Sequence, residues 1–298
     1  MSEEKGALTV PQEEQALAPR QSRVKAFFIK FLGRKTAVVA ACFIILLVII
    51  AFLAPVLQPF DPATPDYDAI LSPPNAKHLF GTDEYGRDIL SRLLAGSRLS
   101  LSVSLSSVTL GAGLGAVLGI LAGYYGGWLD SLIMRTADVL LAFPDILLAI
   151  AIVAVIGPGL SNVIIAVAVF SIPSFARIMR SSTLTVKQSL YVEAARSIGA
   201  TNRSIMWKHI FPGTVASIIV NFTMRIGTAI LAAASLSFLG FGAKPTEPDW
   251  GAMLSTGRNY LGVAPHIVYF SGGIIFLTVL AFNLLGDGLR DTLDPKIQ

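Results

Sequence analysis

Long apolar runs constrain this chain more than any other feature of its sequence. The first run, residues 36–57, reads TAVVAACFIILLVIIAFLAPVL and contains no charged residue. A helix that crosses the hydrocarbon core of a bilayer needs about 20 apolar residues, each adding about 1.5 Å. This run is too long for the apolar core of a cleaved signal peptide, so we interpret it as a retained membrane anchor.

The charge content also indicates a membrane protein. Hydrophobic residues make up 53% of the sequence and charged residues only 14%, whereas soluble globular domains carry about 25% charged residues. The formal net charge of +4 is too small to predict a nucleic-acid partner. We therefore expect membrane lipid to surround much of the chain.

Further apolar runs predict an all-α, polytopic membrane protein with six transmembrane helices. The predicted spans are residues 36–57, 99–123, 133–156, 160–181, 211–240 and 266–286. Between the first two spans, a segment near residues 58–97 is rich in proline and aspartate. Proline and acidic residues are typical of a connecting segment outside the bilayer, so we expect this segment to lie between two spans rather than within one.

Basic residues predict that both termini are cytoplasmic. The polar N-terminal tail, residues 1–35, ends in a cluster of lysines and arginines. The loop after the fourth span carries Arg177, Arg180, Lys187, Arg196, Arg203 and Lys208. Lysine and arginine accumulate in the cytoplasmic loops of membrane proteins. An even number of spans then returns the C-terminus to the same side, while the segment 58–97 lies outside.

Motifs for catalysis are absent from the sequence. It contains no G-x-x-x-x-G-K-[ST] phosphate loop and no H-E-x-x-H zinc motif, and its three histidines are far apart. ATP and zinc chemistry both need such clustered residues. We therefore predict a chain that is not an enzyme and that binds no cofactor or metal. A transporter driven by an ion gradient stays open as an alternative at this point.

The loop between the fourth and fifth spans has the pattern of a short helix. Ser189 can cap its start, and Gly199 stands where a C′ glycine would end it. Asn202 can cap a second turn that leads to Pro212. One helical face would carry Leu190, Ala194 and Ile198. Such a helix can serve as a lever for another protein, or it can lie on the membrane surface.

The residues Glu193, Ala194, Ala195, Gly199 and Pro212 stand at the spacing of the EAA loop of bacterial ABC importers. Further similar stretches include HLFGTDEYGRDILSRLLAGSRLSL (78–101), LAGYYGGWLD (121–130), SFLGFGAKPTEPDWGAML (237–254) and TVLAFNLLGDGLRDTLDPK (278–296). The chain thus resembles the C-type permease subunit of the dipeptide, oligopeptide and nickel importer family, and residues 223–242 are similar to the glutathione importer's subunit of this type. His209 and Phe211 depart from the loop pattern, which prefers Ile and Leu there.

The resemblance implies a type I ABC importer transmembrane domain in a bacterial inner membrane. Its partners would be a homologous second permease, one or two cytoplasmic ATPase subunits that bind ATP and Mg, and an extracytoplasmic solute-binding protein. The EAA loop would couple the ATPases to transport. The substrate would be a small peptide, a dipeptide first, with oligopeptide, glutathione or nickel chelate as further possibilities.

The same resemblance suggests a division of the chain. Residues 1–35 form a cytoplasmic tail, and residues 36–96 form the first span with its periplasmic segment. Residues 97–287 form the type-1 transmembrane domain, with the coupling loop at 182–210. Residues 288–298 form a cytoplasmic C-terminal tail.

Three charged residues inside spans are candidates for the translocation pathway. Arg225 lies 13 residues after Pro212, about 20 Å along an ideal helix. It either attracts a peptide carboxylate or pairs with Asp138 or Asp145 of the third span, since charges inside a membrane are usually paired or face a cavity. Arg135 offers Asp138 a local partner, and Pro144 predicts a kink beside Asp145.

Two further features concern packing and the outer side. Gly111, Gly115, Gly119, Gly123 and Gly127 recur every four residues. Small residues at this spacing let helices approach closely, either for ordinary packing, which we favour, or for a sliding contact. The stretch 237–254 is a candidate outer gate or dock for the binding protein, with Trp250 as a possible aromatic anchor at the membrane interface.

Overall fold

The computed structural model describes residues 23–244 and 246–293, and every regular element in them is a helix. The α-helices are α1 (Arg23–Leu32), α2 (Lys35–Leu57), α3 (Ile89–Tyr125), α4 (Gly127–Leu141), α5 (Asp145–Ile156), α6 (Leu160–Lys187), α7 (Leu190–Ser197), α8 (Asn202–Ser204), α9 (Phe211–Phe238), α10 (Trp250–Gly257) and α11 (His266–Leu293). The all-α fold class predicted from the apolar runs is confirmed.

Within residues 23–244 and 246–293, five helices are long and apolar enough to cross a membrane, and the number of spans is six if one bent pair also counts as a span. That pair is α4 and α5, which meet at an angle of 93°. The predicted third span over 133–156 therefore corresponds to this bent pair and not to one straight helix. Pro144 stands directly before α5, and a proline cannot donate a backbone hydrogen bond to a helix running through it. The predicted kink is thus a complete break.

Several helices extend beyond the predicted spans. α3 begins at Ile89 rather than near 99, because the Asp88 carboxylate accepts a hydrogen bond from the Ser91 amide (2.7 Å) and caps the helix. α6 continues to Lys187 instead of ending near 181. α11 reaches Leu293 and so enters the stretch predicted as a tail.

A close contact between α3 and α6 forms the centre of the bundle. Cβ atoms built on Gly111, Gly115, Gly119 and Gly123 would each lie 2.4–2.8 Å from atoms of α6. Only glycine allows this approach, so these four positions form the close helix contact that both interpretations of the glycine series require. Gly127 does not belong to the face, because it starts α4 with a positive φ of 58°.

The pattern of contacts also gives the helix directions. Gly111 faces Ser171 while Gly123 faces Thr183, so α3 and α6 are parallel. Gly213 approaches Val186, which makes α9 antiparallel to α6. We call the end of the bundle where α6 stops and α9 begins the loop end. α11 finishes at this same end, and Gly288 of α11 contacts Ala37 near the start of α2.

At the opposite end, the segment before α3 and the segment before α10 are joined by buried charges. Arg87 contacts Asp83 (2.7 Å), and Arg92 donates to the carbonyls of Pro62 (3.0 Å) and Glu247 (3.2 Å). Trp250 is 1% exposed and donates its indole N–H to the Leu93 carbonyl. The interpretation of Trp250 as an interface anchor is therefore wrong.

Candidate coupling loop and charged face

α7 is a short helix that has the predicted C′ glycine but lacks the predicted cap at its start. Ser189 occupies the N-cap position, but its hydroxyl donates to the Val186 carbonyl (2.6 Å) and caps nothing. Gly199 follows the last helical turn with a φ of +83°, as a C′ glycine does. The predicted cap by Asn202 is also wrong, because the Thr201 hydroxyl accepts the Ser204 amide instead.

The two faces of α7 have opposite environments. Val192 and Ala195 are buried, at 0% and 5% exposure. Leu190 and Ile198 are 83% and 86% exposed, and Glu193 and Ala194 are exposed with them. The predicted shared face of Leu190, Ala194 and Ile198 thus points away from the protein.

The buried face of α7 attaches the loop to the bundle. Val192 belongs to an apolar cluster with residues of α3, α6 and the segment before α9; its other buried members are Ala116, Ile120, Tyr124, Met179, Ile205, Met206 and Ile210. The Tyr124 hydroxyl donates to the Asn202 side chain (2.6 Å), and Lys187 donates to the Tyr124 carbonyl (2.6 Å). These contacts hold α7 firmly against the loop end of the bundle.

The chain enters α9 through a wide helical turn. Residues Ile205–Ile210 form a π-helix, in which the Phe211 amide donates to the Met206 carbonyl five residues earlier. This wider turn directly precedes Pro212, and π turns of this kind are uncommon and often occur at functional sites. The helix nevertheless continues from Asn202 to Phe238. The Tyr191 hydroxyl donates to the His209 carbonyl (3.2 Å) and so links α7 to this continuous helix.

Ion pairs connect the broken pair α4 and α5 to α6 and α9. Arg225 contacts Asp145 (3.2 Å) and donates to the Ser174 hydroxyl. Of the two aspartates considered for Arg225, the structure therefore selects Asp145. Asp138 contacts Arg177 (2.7 Å), so the predicted local pair of Asp138 with Arg135 is wrong.

A third ion pair lies nearer the loop end. Asp130 accepts two hydrogen bonds from Arg180, at 2.5 and 2.6 Å. Arg177 and Arg180 had been assigned to the loop by their positive charge, whereas both lie within α6. The predicted fourth span, 160–181, already contained both positions, so the span itself was the signal that could have placed them in a helix.

The charged side chains form one face of the bundle with hydroxyl and amide groups. In α6 this face continues along Ser174, Arg177, Ser181 and Thr185, opposite the side packed against α3. In α9 it includes Ser217, Asn221 and Arg225. The Asp138 and Arg177 side chains are 61% and 56% exposed. Exposed charges inside spans face water or protein rather than lipid, so this face is not a lipid-facing one. Within residues 23–244 and 246–293, no cluster of His, Cys, Asp or Glu could hold a metal ion.

A helical bundle of membrane-spanning length with an exposed charged face and an outward-facing short helix is typical of a membrane transport permease. Residues 115–298 match the model of the binding-protein-dependent transport system inner membrane component, and residues 22–74 match the N-terminal transmembrane domain of oligopeptide transport permease C. The chain belongs to this family of binding-protein-dependent permeases. It is thus the permease component of an ABC importer and is not itself catalytic.

Curated relatives and solved structures agree with this assignment. The chain is 57% identical over 273 residues to the glutathione transport system permease protein GsiD of Escherichia coli O6:K15:H31, covering 91% of this chain and 90% of the relative. The protein of the same name from Shigella boydii serotype 4 gives the same values. The MetNI methionine ABC transporter in inward-facing conformations shares the fold at a TM-score of 0.56 and 19% identity, over 68% of this chain and 97% of that one. An amino acid ABC transporter shares it at a TM-score of 0.52 and 18% identity, over 66% and 92%.

Family membership decides between the two transport mechanisms left open by the sequence. A binding-protein-dependent permease works with ATPase and binding-protein partners in general, so the alternative of an ion-gradient-driven carrier is set aside. The type I importer fold and the inner membrane follow from the same matches.

Proposed function

We propose that this permease imports small peptides, with glutathione as the first candidate, and that partner ATPases drive it through α7. The glutathione assignment is supported by the 57% identity to a glutathione permease over nearly the whole chain. The dipeptide expected from the sequence stays a prediction within the same substrate class.

The single observation that carries the coupling role is the two-sided character of α7. Its outer face offers Leu190 and Ile198 to a partner, at 83% and 86% exposure. Its inner face is fixed to α3, α6 and α9 through Val192. A partner protein that binds the outer face of α7 would therefore move helices of the bundle together with the loop.

This role also sets the orientation of the assembly. The loop end would be cytoplasmic, where ATP is available, and both termini would lie on that side. The charged face on α6 and α9 would border the translocation pathway and the second permease, because exposed charges there are unsuited to lipid. The opposite end would then meet the solute-binding protein.

The coupling role can be tested in the complete importer by placing a charge on the outer face of α7. Ile198→Glu should reduce co-purification of the ATPases and abolish ATP-driven uptake of glutathione, because the charge is desolvated at the contact. Glu193→Lys should act in the same direction. Val263→Glu is a matched control for co-purification of the ATPases, since Val263 is 76% exposed at the opposite end, away from the proposed ATPase contact. Normal ATPase binding and uptake with Ile198→Glu would show that α7 is not the coupling site.

The substrate is tested separately with unmodified importer in proteoliposomes. Uptake of glutathione should require ATP, the ATPases and the binding protein, and the permease alone should transport nothing. ATP-driven uptake of dipeptides without uptake of glutathione would reassign the substrate and leave the coupling proposal intact.

A further inference from the structure

Arg135 is distinguished from the other arginines of the charged face by its surroundings. It lines an open cavity of about 510 Å³ between α4 and α6, together with Asp130, Asp138, Arg177 and Arg180. Small-molecule sites in proteins commonly have volumes of about 300–1,000 Å³. This cavity is therefore large enough for a small peptide or for one end of it.

The charges in this cavity do not cancel. Asp130 is neutralised by Arg180 and Asp138 by Arg177. The Arg135 side chain is exposed and forms no ion pair or hydrogen bond with any residue in 23–244 or 246–293. Two aspartates and three arginines leave one positive charge, which the geometry places on Arg135.

The cavity lies inside the bundle relative to the loop end of α6. Arg177 and Arg180 precede the end of α6 at Lys187 by ten and seven residues, which is about 15 and 10 Å along a helix. The Ser131 hydroxyl group and the Met134 side chain also line the cavity. A cation beside a hydroxyl group and an apolar side chain suits a ligand with both a carboxylate and uncharged parts.

Arg225, the first candidate for binding a substrate carboxylate, already has partners within the protein. Its guanidinium contacts both Asp145 and Ser174, so a substrate carboxylate would have to compete with an existing ion pair. Arg135 meets no such competitor among the described residues.

We propose that Arg135 and the cavity between α4 and α6 form a weak binding site for the carboxylate of a small peptide in the loop-end half of the translocation pathway. The inference rests on the proposed peptide-import function and adds to it the group that recognises the substrate's negative charge. The site selects anionic or zwitterionic peptides over peptides that carry no carboxylate.

The proposal can be tested by protection of a single thiol in the assembled importer. Ser131→Cys places a reporter in the cavity, in a background where Cys42, the one native cysteine of this chain, is replaced by serine and the partner subunits lack cysteine. The probes are N-acetyl-dialanine and N-acetyl-dialanine amide, which differ only in the carboxylate. The free acid should slow labelling by an uncharged thiol reagent at concentrations about five-fold lower than the amide, because two unit charges about 4 Å apart in water attract by about 1 kcal/mol.

Two variants separate the charge of Arg135 from its structural role. Arg135→Gln should remove the difference between the two peptides, and Arg135→Lys should keep it. Equal protection by acid and amide in the unmodified site, or an unchanged difference in Arg135→Gln, would overturn the proposal. Slower labelling on addition of anionic phospholipid, without any effect of either peptide, would show a lipid headgroup site and would also overturn it.

Failure of this proposal can be distinguished from failure of the proposed import function. ATP-driven uptake of glutathione is measured on a parallel preparation in which Cys42 and Ser131 are intact. If the importer takes up glutathione but the free acid and the amide protect the thiol equally, only the carboxylate site is refuted. Absence of peptide uptake in an importer that still hydrolyses ATP would refute the substrate assignment instead.

Discussion

Replacing Gly119 by alanine should weaken the contact between α3 and α6, whereas the same change at Gly113 should not. A Cβ atom on Gly119 would lie 2.4 Å from the Ala176 carbonyl oxygen and 2.6 Å from the Met179 Cβ. A Cβ atom on Gly113, in the same helix, would meet nothing within 4 Å. The two glycines thus provide a test and its matched control.

The expected magnitude follows from these distances. Carbon–oxygen contacts rarely fall below about 3.3 Å, so the helices must separate locally by about 0.9 Å. Overpacking of this kind costs about 1–3 kcal/mol. At both positions alanine also favours the helix over glycine by up to about 1 kcal/mol. Because this gain is common to the two variants, their free energies of unfolding should differ by about 1–3 kcal/mol.

Thermal unfolding of the purified importer in detergent, at one fixed scan rate, measures this difference. With about 2–4 °C per kcal/mol for chains of comparable size, Gly119→Ala should unfold about 2–12 °C below Gly113→Ala. Equal melting temperatures would refute the close-packing argument. A Gly119→Ala variant that keeps its melting temperature but loses ATP-driven uptake would instead favour a sliding contact between α3 and α6.

Three further predictions concern the loop, the charged face and the opposite end. Gly199→Asp should uncouple ATP hydrolysis from uptake, because a φ of +83° strains most residues with a side chain; Gly199→Asn, which tolerates this region better, should retain more uptake. Arg225→Gln should reduce uptake with assembly intact, and exchanging the charges of Arg225 and Asp145 should restore part of it; unchanged uptake in Arg225→Gln would remove this residue from the pathway. Burial raises the pKa of Glu84, so the carboxyl group binds a proton more tightly in the folded state than in the unfolded state. The stability that this group contributes is therefore lost as the pH rises through the folded pKa. The stability advantage of Glu84→Gln in thermal unfolding should therefore shrink from pH 7 to pH 5, and a constant difference would contradict the assignment.

Five of the six predicted spans and the position of the loop could be predicted, because each depends on neighbouring residues. An apolar run of sufficient length is a local property, and so is the glycine that ends α7. The start of α3 was placed too late because the first turns of this helix are polar. Asp88 caps it at a position where hydropathy alone shows no span.

The ion-pair partners could not be predicted, because they depend on helix depth and rotation. Asp138 and Arg177 are 39 residues apart, and Asp145 and Arg225 are 80 residues apart. A local partner three residues away was the simplest expectation for Asp138. The 93° break between α4 and α5 brings Asp138 to α6 and leaves Arg135 facing the cavity.

The burial of Trp250 could not be predicted either, because it depends on a contact between residues far apart in sequence. Its indole N–H reaches the Leu93 carbonyl across 157 residues of sequence, so no local pattern distinguishes it from an interface tryptophan. Asp249, the residue before it, accepts the Ala252 amide and caps α10. Burial raises the pKa of the Asp249 carboxyl group. The segment that carries Asp249 is therefore packed against the bundle and is not a loose outer loop.

The continuity of the helix from Asn202 to Phe238 links the coupling proposal to the pathway proposal. Tyr191 attaches α7 to this helix at His209, and Arg225 attaches the same helix to Asp145 at the start of α5. A force applied to α7 would thus act directly on the Arg225–Asp145 contact, because a continuous helix transmits displacement along its axis. Because the helix is broken before α5, the segment that carries Asp145 could move when this contact is displaced. The ion pair is therefore a point where motion of the loop would alter the charged face.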